Sequence, residues 1–114
     1  MGYYYFRIEI EKVGFRFKLY PCNSNSQAMG ISNLFPTKAE AEKGLEDFRF
    51  LVRSSPDILT LFSWKQEGKH FKYKLLENSH NIDFNNYRGY EQKASLKKAL
   101  TSIKNHIDAE LIID

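Results

Sequence analysis

The chain has 114 residues, a net charge of +3 and one cysteine, with 42% hydrophobic and 15% aromatic residues. That is one domain's worth of chain with enough apolar material for a packed interior, which excludes disorder and an internal disulfide framework. The charge excess is too small to mark a nucleic-acid protein by composition alone.

Tyr4 to Glu11 alternates, with Tyr4, Phe6, Ile8 and Ile10 on one side and Tyr5, Arg7, Glu9 and Glu11 on the other. This period of two predicts a half-buried strand. Gly14 allows a turn. A second strand follows over Phe15 to Tyr20, with Phe15, Phe17 and Leu19 inward. Pro21 and Asn23-Ser24-Asn25-Ser26 predict another turn, and a weaker strand runs from about Gln27 to Leu34.

Pro36 stops that strand, and Thr37 with Glu40 three residues on has the form of a capping box. Ala41, Leu45, Phe48 and Val52 then share one helical face, while Lys38, Glu42, Glu46 and Arg49 cover the other. The helix should end near Arg53, before the junction Ser54-Ser55-Pro56.

The remainder repeats this plan. Ile58 to Leu61 reads as extended, and Phe62 and Trp64 stand where Phe6 and Ile8 stood. Gly68-Lys69 is a turn, His70 to Leu76 a strand, Asn78-Ser79 a second turn, and Ile82 and Phe84 mark a third strand. Leu96, Leu100, Ile103 and Ile107 form a second helical face, and Glu110 to Ile113 reads as a closing strand.

Phe15-Arg16-Phe17-Lys18-Leu19 returns as Phe71-Lys72-Tyr73-Lys74-Leu75, an offset of 56 residues. Lys38-Ala39 with Lys43-Gly44-Leu45 returns as Lys93-Ala94 with Lys98-Ala99-Leu100, an offset of 55. A period this long, occurring twice, marks a duplicated unit rather than a solenoid. Each half is marginal alone, so the two should share one core. The expectation is an α+β two-layer sandwich: a single domain of two β-β-β-α(-β) repeats, residues 1–56 and 57–114. They would form one antiparallel sheet with the helices packed on one face.

Three stretches resemble the YegP-like family of small, mostly bacterial proteins. They are Phe15-Arg16-Phe17-Lys18-Leu19, Ser32-Asn33-Leu34-Phe35, and Thr37-Lys38-Ala39-Glu40-Ala41-Glu42-Lys43-Gly44-Leu45. The family shows an aromatic-basic-aromatic strand, an Asn-Gly turn, a Ser-x-x-Tyr strand end and a Lys-Ala-x-Ala-Glu-x-Gly-Ile helix. Here the turns are Asn23-Ser24 and Asn78-Ser79, and the second helix reads Ser95-Leu96-Lys97-Lys98-Ala99. The resemblance implies two units sharing one sheet with exchanged C-terminal strands, so that Glu110 to Ile113 pairs in the other unit's half. It implies no activity, cofactor or catalytic residue.

Catalytic chemistry is not expected. His70, His80 and His106 are widely spaced, and none has metal-ligand spacing with a carboxylate or Cys22. Cys22 has no neighbouring base or cation to make it a reactive thiol, and reads as a small turn residue. Glu40, Glu42, Glu46 and Asp47 belong to a solvated helix face with Lys38, Lys43 and Arg49 as partners. There is no signal peptide and no membrane-spanning run, which predicts a soluble, cytoplasmic protein that needs no cofactor.

Two surfaces are candidates for binding. The outer sheet face should carry Tyr3, Tyr5, Arg7, Arg16, Lys18 and Tyr20, with Leu61, Ser63, Lys65, Lys72, Lys74 and Leu76 from the second unit. Rings beside cations suit single-stranded nucleic acid, and Tyr5, Arg16, Lys18, Tyr20, Lys72 and Lys74 are the candidate contacts. Ordinary solvation explains the same residues, and the apolar members would equally suit a homodimer. The second surface is the lysine stripe Lys93, Lys97, Lys98 and Lys104 on the second helix.

Overall fold

The structure, a computed structural model, describes residues 4–21, 27–86 and 89–112. The first hairpin joins β1 (Tyr5–Glu11) to β2 (Gly14–Tyr20), paired from Tyr5↔Tyr20 to Glu11↔Gly14. A short β3 (Gly30–Ser32) follows, then α1 (Lys38–Ser54). Thr37 starts α1 as anticipated, its Oγ1 accepting from the Glu40 amide at 3.1 Å. The same order returns in β4 (Phe62–Glu67), β5 (His70–Leu75), β6 (Phe84–Asn85) and α2 (Lys93–Asn105), and β7 (Glu110–Ile112) ends the described chain.

All seven strands lie in one sheet, in the order β4-β5-β6-β3-β2-β1-β7. The two short strands β3 and β6 meet at its centre through Ile31↔Asn85 and Ser32↔Phe84. The sheet is mixed and not purely antiparallel as expected, because β7 runs parallel to β1, from Tyr5↔Glu110 to Arg7↔Ile112. It reaches β1 from the far end of α2, and parallel neighbours need such a crossover. The closing strand thus pairs in the first half of the sheet, as the family resemblance implied.

One hydrophobic cluster joins both helices to the inward side of the sheet. Phe17 and Tyr73, Leu45 and Leu100, and Phe48 and Ile103 are all buried, as their positions predicted. Phe48 of α1 stacks on Phe84 of β6 with ring centroids 4.4 Å apart, and Phe84 lies 5.9 Å from Phe17. Each buried ring contributes on the order of 1.5–3 kcal/mol. Among the described residues no helix is long and apolar enough to cross a membrane.

Four expectations fail at the margins, three of them inward or outward assignments. Ile10 is 75% exposed, because it sits at the tip of the β1–β2 hairpin beyond the reach of the helices. Trp64 is 46% exposed on edge strand β4, where its ring meets Lys93 and Phe71. Ile58–Thr60 is a 3-10 turn and not a strand: Asp57 accepts from the Leu59 amide at 3.0 Å, which ends extension locally. Leu61, placed on the outer face by alternation, follows that turn and packs against the core instead. The third strand is also shorter than Gln27 to Leu34. Cys22, the Asn23-Ser24 turn, Tyr3 and Ile113 lie outside the described residues.

Candidate functional site

Strand register builds the outer face directly. Ser63, Lys74, Asn85, Ile31, Lys18, Arg7 and Ile112 are successive partners across all seven strands. Lys18 and Lys74 are three strands apart, roughly 14 Å at the usual strand spacing. A second row pairs Tyr5 with Tyr20, whose rings stack at 5.1 Å. The six candidate residues therefore share one face, with Lys72 opposite Lys65 on the neighbouring strand.

Their charges are compensated in place. Lys18 Nζ is 3.1 Å from Glu9 and 4.0 Å from Glu11, and Arg16 Nε is 2.9 Å from Glu11. That Arg16 contact is an ion pair without the alignment of a hydrogen bond. The Tyr20 hydroxyl donates to Glu9; burial, with that hydrogen bond second, holds its pKa far above the ordinary phenol value. In the second half Glu67 takes both Lys65 (2.6 Å) and Lys72 (3.3 Å), which lowers its pKa, and Lys74 is 3.9 Å from Asp83. The two halves differ in cover. The side chains of Lys18 and Arg16 are only 17% and 19% exposed, whereas that of Lys74 is 64% exposed. The expected basic strip is thus a ladder of mixed charge, because Glu9 and Glu11 share the outward parity of Arg7.

The lysine stripe of α2 is divided by its contacts. Lys93 Nζ lies 4.2 Å above the Trp64 ring, and Lys104 Nζ donates to Ser55 O at 2.6 Å, closing the end of α1. Lys97 and Lys98 have no partner among the described residues. Arg49, assigned to the wet face of α1, instead donates to Ile107 O (3.0 Å) and Ala109 O (2.6 Å) and lies 5.2 Å from the Phe6 ring centroid. Glu46 takes its remaining nitrogen at 2.8 Å.

Two buried polar residues have roles that no period revealed, although Ser32 heads the strand-end motif that resembles the family's. Ser32 Oγ accepts from the Phe17 amide at 3.0 Å, and Asn86 Oδ1 accepts from the Tyr73 amide at 3.1 Å. Each satisfies a strand amide that the short central strands leave unpaired. Among the described residues, no three His, Cys, Asp or Glu side chains are grouped to hold a metal ion. His80 Nδ1 faces Asp47 at 3.7 Å, and His106 stacks on Tyr4 at 3.7 Å.

Seven strands in this order with two helices define an α+β domain of the YegP fold. The chain matches the solution NMR structure of yegP from E. coli, a protein of unknown function, with a TM-score of 0.76 and 20% identity over 100% of this chain and 95% of that one. At that identity the likeness establishes the fold and brings no activity with it. No protein-family model and no curated protein matches the sequence.

Proposed function

We propose that this chain is a non-catalytic binding domain of the bacterial cytoplasm that meets a protein partner through the sheet face opposite its helices. The row from Ser63 to Ile112, which no helix covers, carries this reading. A face whose cations are already held by Glu9, Glu11, Glu67 and Asp83 offers a polyphosphate little uncompensated charge, while a protein surface can match mixed charges pair by pair. The single cysteine fits a reducing compartment.

The unit is one domain of two repeats, 1–56 and 57–114. Matched anchors support this: Ser32 serves Phe17 as Asn86 serves Tyr73, and the Phe15↔Phe35 bridge has its counterpart in Phe71↔Tyr90.

Single-stranded nucleic acid is the second reading, favoured by the Tyr5–Tyr20 stack and by the exposure of Lys72 and Lys74. Fluorescence anisotropy at low salt with mixed oligonucleotides separates the two, using the wild type and a Lys18→Glu, Lys72→Glu, Lys74→Glu variant. Negligible binding by both is expected. Tight wild-type binding, with a salt slope flattened by about one unit per lost contact in the variant, would replace the protein reading with the nucleic-acid one. Light scattering over a concentration series then shows whether the partner is a second copy.

A further inference from the structure

A cleft of about 620 Å³ opens between α2 and the end of the sheet where β1 begins and β3 enters. That volume falls within the usual range for small-molecule sites. One wall is a stripe of α2, Ser95, Lys98 and Ser102, spaced so that the three side chains face the same way. Tyr4, Gln27, Met29 and Tyr90 are among the residues that line the rest.

Several polar groups here have no partner among the described residues. The hydroxyls of Tyr4, Tyr90, Ser95 and Ser102 and the Lys98 ammonium make no hydrogen bond or ion pair among the described residues. This contrasts with the outer face, where the candidate cations are matched by carboxylates. Burial, and secondarily the nearby Tyr4, raises the pKa of Tyr90. At the position where the first half bridges Phe15 with Phe35, the second half bridges Phe71 with Tyr90, which carries a hydroxyl that Phe35 lacks. No carboxylate lines the cleft among the described residues.

We propose that this cleft binds a small organic anion, with its carboxylate or phosphate head on Lys98 and the Tyr90 and serine hydroxyls, and its apolar body against Met29 and Ala99. One cation and several hydroxyl donors converging with no carboxylate beside them among the described residues favour an oxyanion. The stacked Tyr4–His106 pair, 3.7 Å apart, gives the site a rigid end.

The test is a titration of the ¹⁵N-labelled full chain with four probes: phenyl phosphate, benzoate, inorganic phosphate and benzyl alcohol. Saturable shifts at Tyr4, Tyr90, Ser95 and Lys98 are expected with phenyl phosphate or benzoate, and the stronger of the two identifies the head group. Inorganic phosphate and benzyl alcohol should bind at least tenfold more weakly. Lys98→Gln should weaken the preferred probe about tenfold, the loss of one charge-assisted contact, while Lys97→Gln one residue away leaves it unchanged. Tyr90→Phe, which keeps the packing, should weaken it less. No saturation in the millimolar range, equal binding of benzyl alcohol, or indifference to Lys98→Gln would each overturn the proposal. Shifts confined to Lys18 and Lys74 would overturn it too, while implicating the outer face.

Discussion

Arg49 ties α1 to the segment that leads from α2 into β7. Its guanidinium binds the carbonyls of Ile107 and Ala109, which lead the chain into β7, while its plane lies near Phe6. Lysine cannot make this forked contact. Arg49→Lys should therefore cost about 1–3 kcal/mol in denaturant unfolding. Gly30 is constrained by space: a Cβ there would stand 2.3 Å from the Phe84 ring, which Phe48 and Phe17 hold in place. Gly30→Ala should cost about 1–3 kcal/mol through overpacking, measured the same way. Tyr73 is fully buried, donates to Met29 O at 2.7 Å, and has its pKa raised well above 10 by burial. The folded state therefore keeps this proton more tightly than the unfolded chain. Stability from Tyr73 is full below about pH 10 and falls as pH rises above it. Base titration of the folded fraction should show that fall, and Tyr73→Phe should make it shallower.

β7 is short, yet it covers the edge of β1 and brings Leu111 onto the core. Removing residues 110–114 exposes that edge and frees the groups that Arg49 clamps. A clear loss in melting temperature is expected, and an unchanged value would show that the tail is dispensable. The helices differ in how they start. Thr37 caps α1, whereas Gln92 places no side chain on the amides of α2. Gln92→Ser should raise stability by a few tenths of a kcal/mol up to about 1 kcal/mol if a proper cap is what α2 lacks.

The halves are joined through the core as well as through the chain. Phe84 belongs to the second half but packs on Phe48 and Phe17 of the first, and Ile31↔Asn85 makes the sheet continuous between them. Separate fragments 1–56 and 57–114 should each be unfolded by circular dichroism, and the intact chain should unfold in one transition by both circular dichroism and fluorescence. A folded 57–114 fragment would show that the second half holds its own core.

Periodicity was a good guide wherever one side of an element faces the core. The inward series Phe6-Ile8, Phe17-Leu19 and Leu45-Phe48-Val52 could be read from the residues because burial imposes period two on strands and about 3.6 on helices. The same logic placed Lys18 and Lys74 on one face. It failed at Ile10 and Trp64, since alternation gives a side but not how far a helix reaches over it. It also gave no sign that Glu9 and Glu11 neutralise Arg16 and Lys18, that Arg49 turns inward to two carbonyls, or that Ser32 and Asn86 each bind a distant strand amide. Those pairings join residues far apart in sequence, and local pattern holds no information about which partner the folded sheet brings near. The cleft beside α2 is of the same kind: Tyr4, Met29, Tyr90 and Lys98 meet there only because the chain closes on itself.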